Sequence, residues 1–284
     1  MALSRWLLAL GCLCLLAMPA QAQSTVQDFS NPGVKGTNYA EYGTGTGSVQ
    51  SGGPAGASNY YRLTQSGVGS TNNIIAFDLT SPGKASHVVG SFDFRIGGTL
   101  GCHADGIGLV LIDTSNFGTT GNGPSIAEEG STNRGGGLGI GLDDYNNGNP
   151  YDTTSIGLPN STDGDEVSVN LLNIGPPRFD FVYAVDLYTL TNSGYNMHQD
   201  FLDDGTTPFD HCDFTVDIDP NGGAAVSVYI TSSQQDSTSG QRFKALSVVV
   251  PALLPYEMRV GFAGRTGGCD DTHDIANVNI SFAP

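Results

Sequence analysis

The chain has 284 residues, with 11 Lys+Arg against 28 Asp+Glu and a formal net charge of −17. That balance argues against nucleic acid or an anionic membrane surface as a partner, because both demand a basic face. A hydrophobic content of 38% is enough for a packed core and does not describe a disordered acidic tail.

In chain order, residues 1–22 come first: Arg5, the apolar run 6–18, then Pro19, Ala20, Gln21 and Ala22. A charged start, an apolar centre and an A-x-A site read as a secretory signal peptide cleaved near Ala22. The run is too short to cross a bilayer as a helix. The rival reading, a lipid-anchored Cys12, is poorly served by the Ala9-Leu10-Gly11 that precedes it. Cleavage before Gln23 removes one basic residue and leaves 262 residues, net −18. The expectation is one secreted domain over 23–284, with no membrane insertion.

Of the 28 acids only five are Glu, and 40 residues are Gly. Asp and Gly favour turns, whereas Glu favours helices. No stretch keeps a helical period for three turns. Alternation dominates instead: Phe92, Phe94 and Ile96 interleave with Asp93 and Arg95, and Phe214, Val216 and Ile218 with Thr215 and Asp217. Strands are predicted at 60–63, 74–79, 92–96, 107–112, 138–142, 167–174, 181–187, 214–218, 226–230, 246–250, 258–263 and 278–282. Many short strands with Gly/Asp/Asn/Ser joints indicate an all-β fold, an antiparallel β-sandwich. Residues 30–57, rich in Gly, Ser and Thr, read as long surface loops. Residues 118–137 form another glycine-rich loop, and long loops in compact domains are often functional.

The stretch 135–152 starts as a strand and breaks into a loop dense in side-chain oxygens. Asp143, Asn147 and Asp152 each carry a hard oxygen, and the Tyr145 carbonyl lies between the first two. A bend over 146–150 can fold these onto one centre, and Ca2+ takes six to eight oxygens from such loops. The plain alternative is a polar turn. Asp217-Ile218-Asp219-Pro220-Asn221-Gly222 copies the start of an EF-hand loop. Val228 stands where the twelfth-position Glu should be, so this reads as a hairpin turn. Asn160-Ser161-Thr162 is a glycosylation sequon, meaningful only in a eukaryotic secretory pathway. The mature cysteines are Cys102, Cys212 and Cys269; an oxidising compartment favours a disulfide, the odd count leaves one over, and spacing does not settle the pairing. No C-x-x-C or H-E-x-x-H motif points to zinc.

At His103-Ala104-Asp105-Gly106-Ile107-Gly108-Leu109-Val110-Leu111 the sequence resembles the A-D-G strand of L-type lectins, the group of legume seed lectins and secretory-pathway cargo lectins. The preceding strand is matched by 91–96, the glycine turn and metal loop by 135–152, and the closing strand with its sugar-specificity loop by 259–275. These motifs follow the family's order across roughly 88–282. The resemblance implies a concanavalin A-like jelly roll. It also implies a calcium site of Asp143, the Tyr145 carbonyl, Asn147 and Asp152. Gly141 stands where legume lectins have a transition-metal Glu and Ser155 where they have a His, so calcium is expected without manganese.

The same matches imply a sugar site. Asp105 would accept hydrogen bonds from adjacent hydroxyls, as a two-oxygen anion can. Asn147 would hold the ion with its oxygen and a sugar with its NH2. The backbone amides of Gly136 and of Gly267 or Gly268 would line the rim, and the Tyr145 ring would stack on the sugar. The family's cis Ala–Asp bond makes Ala104–Asp105 a candidate for that geometry. His103 belongs to the rim or to solvent, and His273 reads as a hydrogen-bonded core residue. A Cys102–Cys269 bond would pin the two loops that meet at the sugar; Cys212 is the competing partner. Family members commonly dimerise through sheet edges, so a homodimer is an expectation.

The leading expectation is therefore a secreted, calcium-dependent glycan-binding lectin without catalysis. The alternatives are a glycan hydrolase or lyase on the same sandwich, and a matrix or adhesion protein that no longer binds sugar. None of the five Glu (41, 128, 129, 166, 257) forms the closely spaced acid pattern of glucanases of this shape, and no G-x-S-x-G elbow occurs.

Overall fold

The structure, a computed structural model, describes residues 23–29, 38–45, 47–55, 57–98, 102–132, 135–145, 165–174, 179–187, 195–199, 208–233 and 239–284. Its strands are β1 (Gln23–Gln27), β2 (Tyr39–Gly43), β3 (Ser48–Ser51), β4 (Asn59–Thr64), β5 (Asn72–Phe77), β6 (His87–Gly97), β7 (Gly106–Asp113), β8 (Gly137–Asp143), β9 (Glu166–Ile174), β10 (Phe179–Asp186), β11 (Asp210–Ile218), β12 (Ala224–Thr231), β13 (Arg242–Val250), β14 (Met258–Arg265) and β15 (Thr272–Ala283). A single turn of helix, α1 (Thr114–Phe117), is capped by Asp113, whose side chain accepts from the Ser115 N–H. No helix among the described residues is long and apolar enough to cross a membrane.

The strands form two antiparallel sheets. The order is β13-β12-β11-β6-β15-β4-β3, with β1 also on β15, in one sheet and β10-β9-β8-β7-β14-β5-β2 in the other. Alternation does what the sequence implies. Along β11, Cys212, Phe214, Val216 and Ile218 turn inward while Asp213, Thr215 and Asp217 do not. Phe92 of the first sheet meets Phe262 of the second edge-on, with ring centroids 5.0 Å apart, an arrangement aromatic quadrupoles favour.

In β7 both faces are buried, which explains its unbroken apolar run. Ile107, Leu109 and Leu111 enter the core between the sheets. Val110 and Ile112 pack on the opposite face with Ile126. The segment carrying Ile126 lies so close to the sheet that a Cβ on Gly108 would stand 2.1 Å from the Ala127 carbonyl oxygen, and one on Gly139 1.8 Å from that of Gly130. Glycine at these positions lets the loop backbone lie on the strands.

Residues 30–57 differ from the expectation of surface loop: they contain β2 and β3. Both are edge strands, at the ends of their sheets. β3 shows the exposure pattern of a strand with little to bury, so its residues carry no apolar alternation. Ladder hydrogen bonds to β4 define it instead. The 219–223 segment is the hairpin turn expected there, closed by Asp219 N–H to Gly223 O at 2.8 Å.

Outside the main core, Asp274 of β15 lies between Arg62 of β4 and Arg95 of β6, its cross-strand neighbours. It accepts from Arg62 Nε at 2.9 Å and Arg95 Nη2 at 2.5 Å. Arg95 is fully buried and stacks over the Phe209 ring at 4.6 Å. Burial still raises the Asp274 carboxyl above its usual value, with the two arginines opposing. His273 is a buried core histidine, with Nδ1 2.5 Å from Thr64 Oγ1 and burial pushing its pKa down to about 3. Cys102 and Cys269 form a disulfide, the preferred pairing, and Cys212 is a buried free thiol.

Candidate functional site

Three neighbouring strands of the second sheet bring their ends to one place. Gly106 opens β7 and pairs with both Asp143, which ends β8, and Arg265, which ends β14. Asp105, just before β7, therefore lies beside the start of the oxygen-rich loop, although 38 positions separate it from Asp143. Two backbone bonds fix it: its N–H donates to the Arg265 carbonyl at 2.9 Å, and its own carbonyl accepts from the Asp144 N–H at 3.0 Å. The Ala104–Asp105 peptide is cis.

The Asp105 side chain is buried, at 4% exposure. Its Oδ2 is 3.5 Å from Arg265 Nε. Burial raises its pKa, the nearby Arg265 guanidinium lowers it, and Glu129 raises it further. Gly267 covers the carboxylate closely: a Cβ there would lie 3.2 Å from Oδ1 and 3.5 Å from Oδ2. Beside Gly267, Gly268 has open space around its would-be Cβ.

Asp143 is fully buried, and its Oδ1 accepts from the Tyr145 N–H at 2.9 Å. Its Oδ2 is buried with no hydrogen-bond partner. Glu166 stands directly opposite it in the β8–β9 ladder. Acids facing each other across a ladder repel. Burial first, then Glu129, Glu128 and Glu166, push the Asp143 carboxyl well above its ordinary range, opposed by the Tyr145 N–H. A buried carboxylate with an unused oxygen among further acids is an environment that a cation relieves. The Asp143 donor thus fits calcium. Tyr145, at 38% exposure, lies beside it. Asn147 and Asp152, the other expected ligands, lie outside the described residues, as do Ser155 and Asn160.

One expected residue is not brought to the site. Gly136 sits at the far end of β8, where its N–H donates to Thr132 Oγ1 at 2.9 Å and its carbonyl accepts from Asp113 N–H at 2.7 Å. Asp113 and Asp105 bracket the length of β7, so Gly136 is roughly 25 Å from Asp105 at about 3.3 Å per residue. The glycines at 135–137 instead serve the strand entry. Gly137 has φ +126°, and a Cβ on it would meet the Leu111 carbonyl oxygen at 1.8 Å. The Gly267 N–H is also engaged, by the Cys269 carbonyl at 3.1 Å.

Sequence reasoning missed several groups at this end of the sheet. Arg265 grips Glu128 through both carboxylate oxygens at 2.9 Å. Burial and the neighbouring Glu129 push the Glu128 pKa up to about 8. The turn carrying these glutamates crosses the sheet over Gly141, where a Cβ would stand 2.4 Å from the Glu129 Cα. The position where legume lectins carry a Glu is thus filled by another segment's backbone. Asp144, fully buried at its side chain, has both oxygens without a hydrogen-bond partner. His198, from a part of the chain with no motif, sits near it with Nδ1 3.1 Å from Asp271 Oδ2. The tandem Asp143-Asp144 was the available signal for Asp144; none pointed to His198.

No protein-family model matches the sequence, and no curated protein matches it. Solved structures do match the fold. The VIP36 exoplasmic/lumenal domain in its Ca2+/Man3GlcNAc-bound form aligns over 92% of this chain and 90% of that one, with 16% identity and a TM-score of 0.53. Its Ca2+/Man2-bound form aligns over 92% and 87%, with 16% identity and a TM-score of 0.55. Peanut lectin with a nine-residue peptide aligns over 92% and 97%, with 18% identity and a TM-score of 0.53. At such identities the likeness speaks for the fold. Two stacked antiparallel sheets in this arrangement give the chain the L-type, legume-lectin-like fold, a concanavalin A-like β-sandwich.

Proposed function

We propose that this chain is a secreted, calcium-dependent carbohydrate-binding protein that breaks no bond. One observation carries the reading: the Asp144 N–H to Asp105 carbonyl bond joins the start of the oxygen-rich loop to a buried carboxylate under Gly267. An ion donor and a sugar acceptor are thereby neighbours. Asp105 accepts from adjacent hydroxyls, with the Arg265 guanidinium on one flank favouring the anionic form against the effect of burial. The Gly268 amide supplies the rim donor, since that of Gly267 is engaged. The half-exposed Tyr145 ring offers an apolar face for the sugar.

Asp143, the Tyr145 carbonyl, Asn147 and Asp152 are the residues that would hold calcium, which when bound supplies a fixed charge that orients the Asn147 amide. The unpartnered Asp143 Oδ2 supports this. Glu128 is turned inward and clamped by Arg265, which supports binding over hydrolysis. The VIP36 forms bound to Ca2+ and mannose-containing ligands favour glycans as the ligand class. The signal-peptide reading of 1–22 supports secretion, and the sheet edges are where a homodimer would form.

The test is a glycan array probed with the mature chain. Binding that is lost with EDTA and in Asp105→Ala is expected. Binding indifferent to both, or release of reducing ends from a polysaccharide, would overturn the reading.

A further inference from the structure

We propose that His103, His198, Asp271 and Asp144 form a site for a zinc-class divalent transition-metal ion, with a donor set distinct from the oxygen donors headed by Asp143. Asp271 offers one oxygen to each imidazole: Oδ1 is 3.4 Å from His103 Nδ1, and Oδ2 is 3.1 Å from His198 Nδ1. The ligand atoms of these three residues all lie within 4.8 Å of one another. Asp144 Oδ2 stands 4.0 Å from His198 Nδ1, beside this trio. Ligands about 2.0–2.2 Å from a tetrahedral ion stand roughly 3.4 Å apart, which is close to the spacing of the two His–Asp271 contacts; Asp144 would move in as the fourth ligand.

A second observation points to an ion. Both oxygens of the buried Asp144 carboxylate lack a hydrogen-bond partner. Asp271, also with a fully buried side chain, shares His198 with it: Nδ1 lies 3.1 Å from Asp271 Oδ2 and 4.0 Å from Asp144 Oδ2. Two facing carboxylates in a dry site repel, and a divalent ion between them cancels both charges. The donors decide which ion. Two imidazoles with two carboxylates suit zinc and its neighbours, whereas calcium prefers oxygen alone.

The backbone holds the donors in place before any ion arrives. Cys102 and Cys269, joined by the disulfide, flank His103 and Asp271. The Asp144 N–H is bonded to the Asp105 carbonyl, and the Gln199 N–H to the Ile96 carbonyl at 2.9 Å, beside His198. The His103 side chain is 34% exposed and gives an entry path. The ion would tie together four segments that are remote in sequence, one of them two residues from Asp105.

The mature protein, stripped with a chelator and then saturated with Ca2+, is titrated with Zn2+ by calorimetry and with Co2+ by visible absorption. One equivalent is expected, with the intense bands of tetrahedral cobalt. His103→Gln, His198→Gln and Asp144→Asn should each weaken binding by about a hundredfold or more, given that even outer-shell changes cost about 10–100-fold. The exposed pair-forming His87, altered to Gln, should leave binding unchanged. Circular dichroism checks folding, and the surface-accessible His103 variant decides the matter if a buried one misfolds. No saturable zinc binding in the native chain, or binding that survives in folded His103→Gln, would overturn the proposal.

Discussion

The Gly267→Ala substitution tests the sugar site with a single methyl. Gly267 does not adopt a positive φ, so alanine is not strained there by its backbone conformation. The added Cβ would stand 3.2 Å from Asp105 Oδ1 and 3.5 Å from Oδ2. That is tight but tolerable contact with the carboxylate, and it occupies the space from which a hydroxyl would approach. A hydrogen bond to a charged group contributes about 1.5–3 kcal/mol. Blocking one such bond should therefore weaken glycan binding about 10- to 150-fold. Stability should change little, because the methyl displaces no packed side chain. The assay is titration of an array-identified glycan, with thermal unfolding and Ca2+ titration alongside. If Gly267→Ala binds like the native chain while Asp105→Ala does not, the ligand does not approach over Gly267 and the assigned geometry is wrong.

Asp274→Ala should destabilise the fold by about 3–5 kcal/mol, because it removes the anion that the buried Arg62 and Arg95 share. A urea midpoint shift worth under about 1 kcal/mol would show that Asp274 is not the main stabiliser of those arginines. His211 has a pKa raised chiefly by its 2.6 Å bond to Asp93, with burial opposing. Its folded value lies above its unfolded one, so its stabilisation is complete below about pH 6.5 and fades as pH rises through the folded value. An NMR titration should find Asp93→Asn lowering that pKa; an unchanged value would assign the shift elsewhere.

The sequence by itself determined the sandwich and its strands. Alternating residues such as Phe92/Phe94/Ile96 and Phe214/Val216/Ile218 can bury only one face of a strand, and that local constraint survives in the structure. It also placed Asp105 and Asp143 in one family pattern, because strand ends and turns leave short, ordered signatures. Tertiary structure decided what local pattern does not encode. Strand β3 exists because a neighbour's edge offers hydrogen bonds, whatever its own side chains. Gly136 belongs to the distant end of β8 because antiparallel pairing fixes its partner as Asp113, a matter of register. His198 meets Asp144 and Asp271 only after three remote segments converge. Periodicity reports which face a residue presents, whereas proximity between remote residues is set by the pairing of strands, and no window of sequence contains both partners.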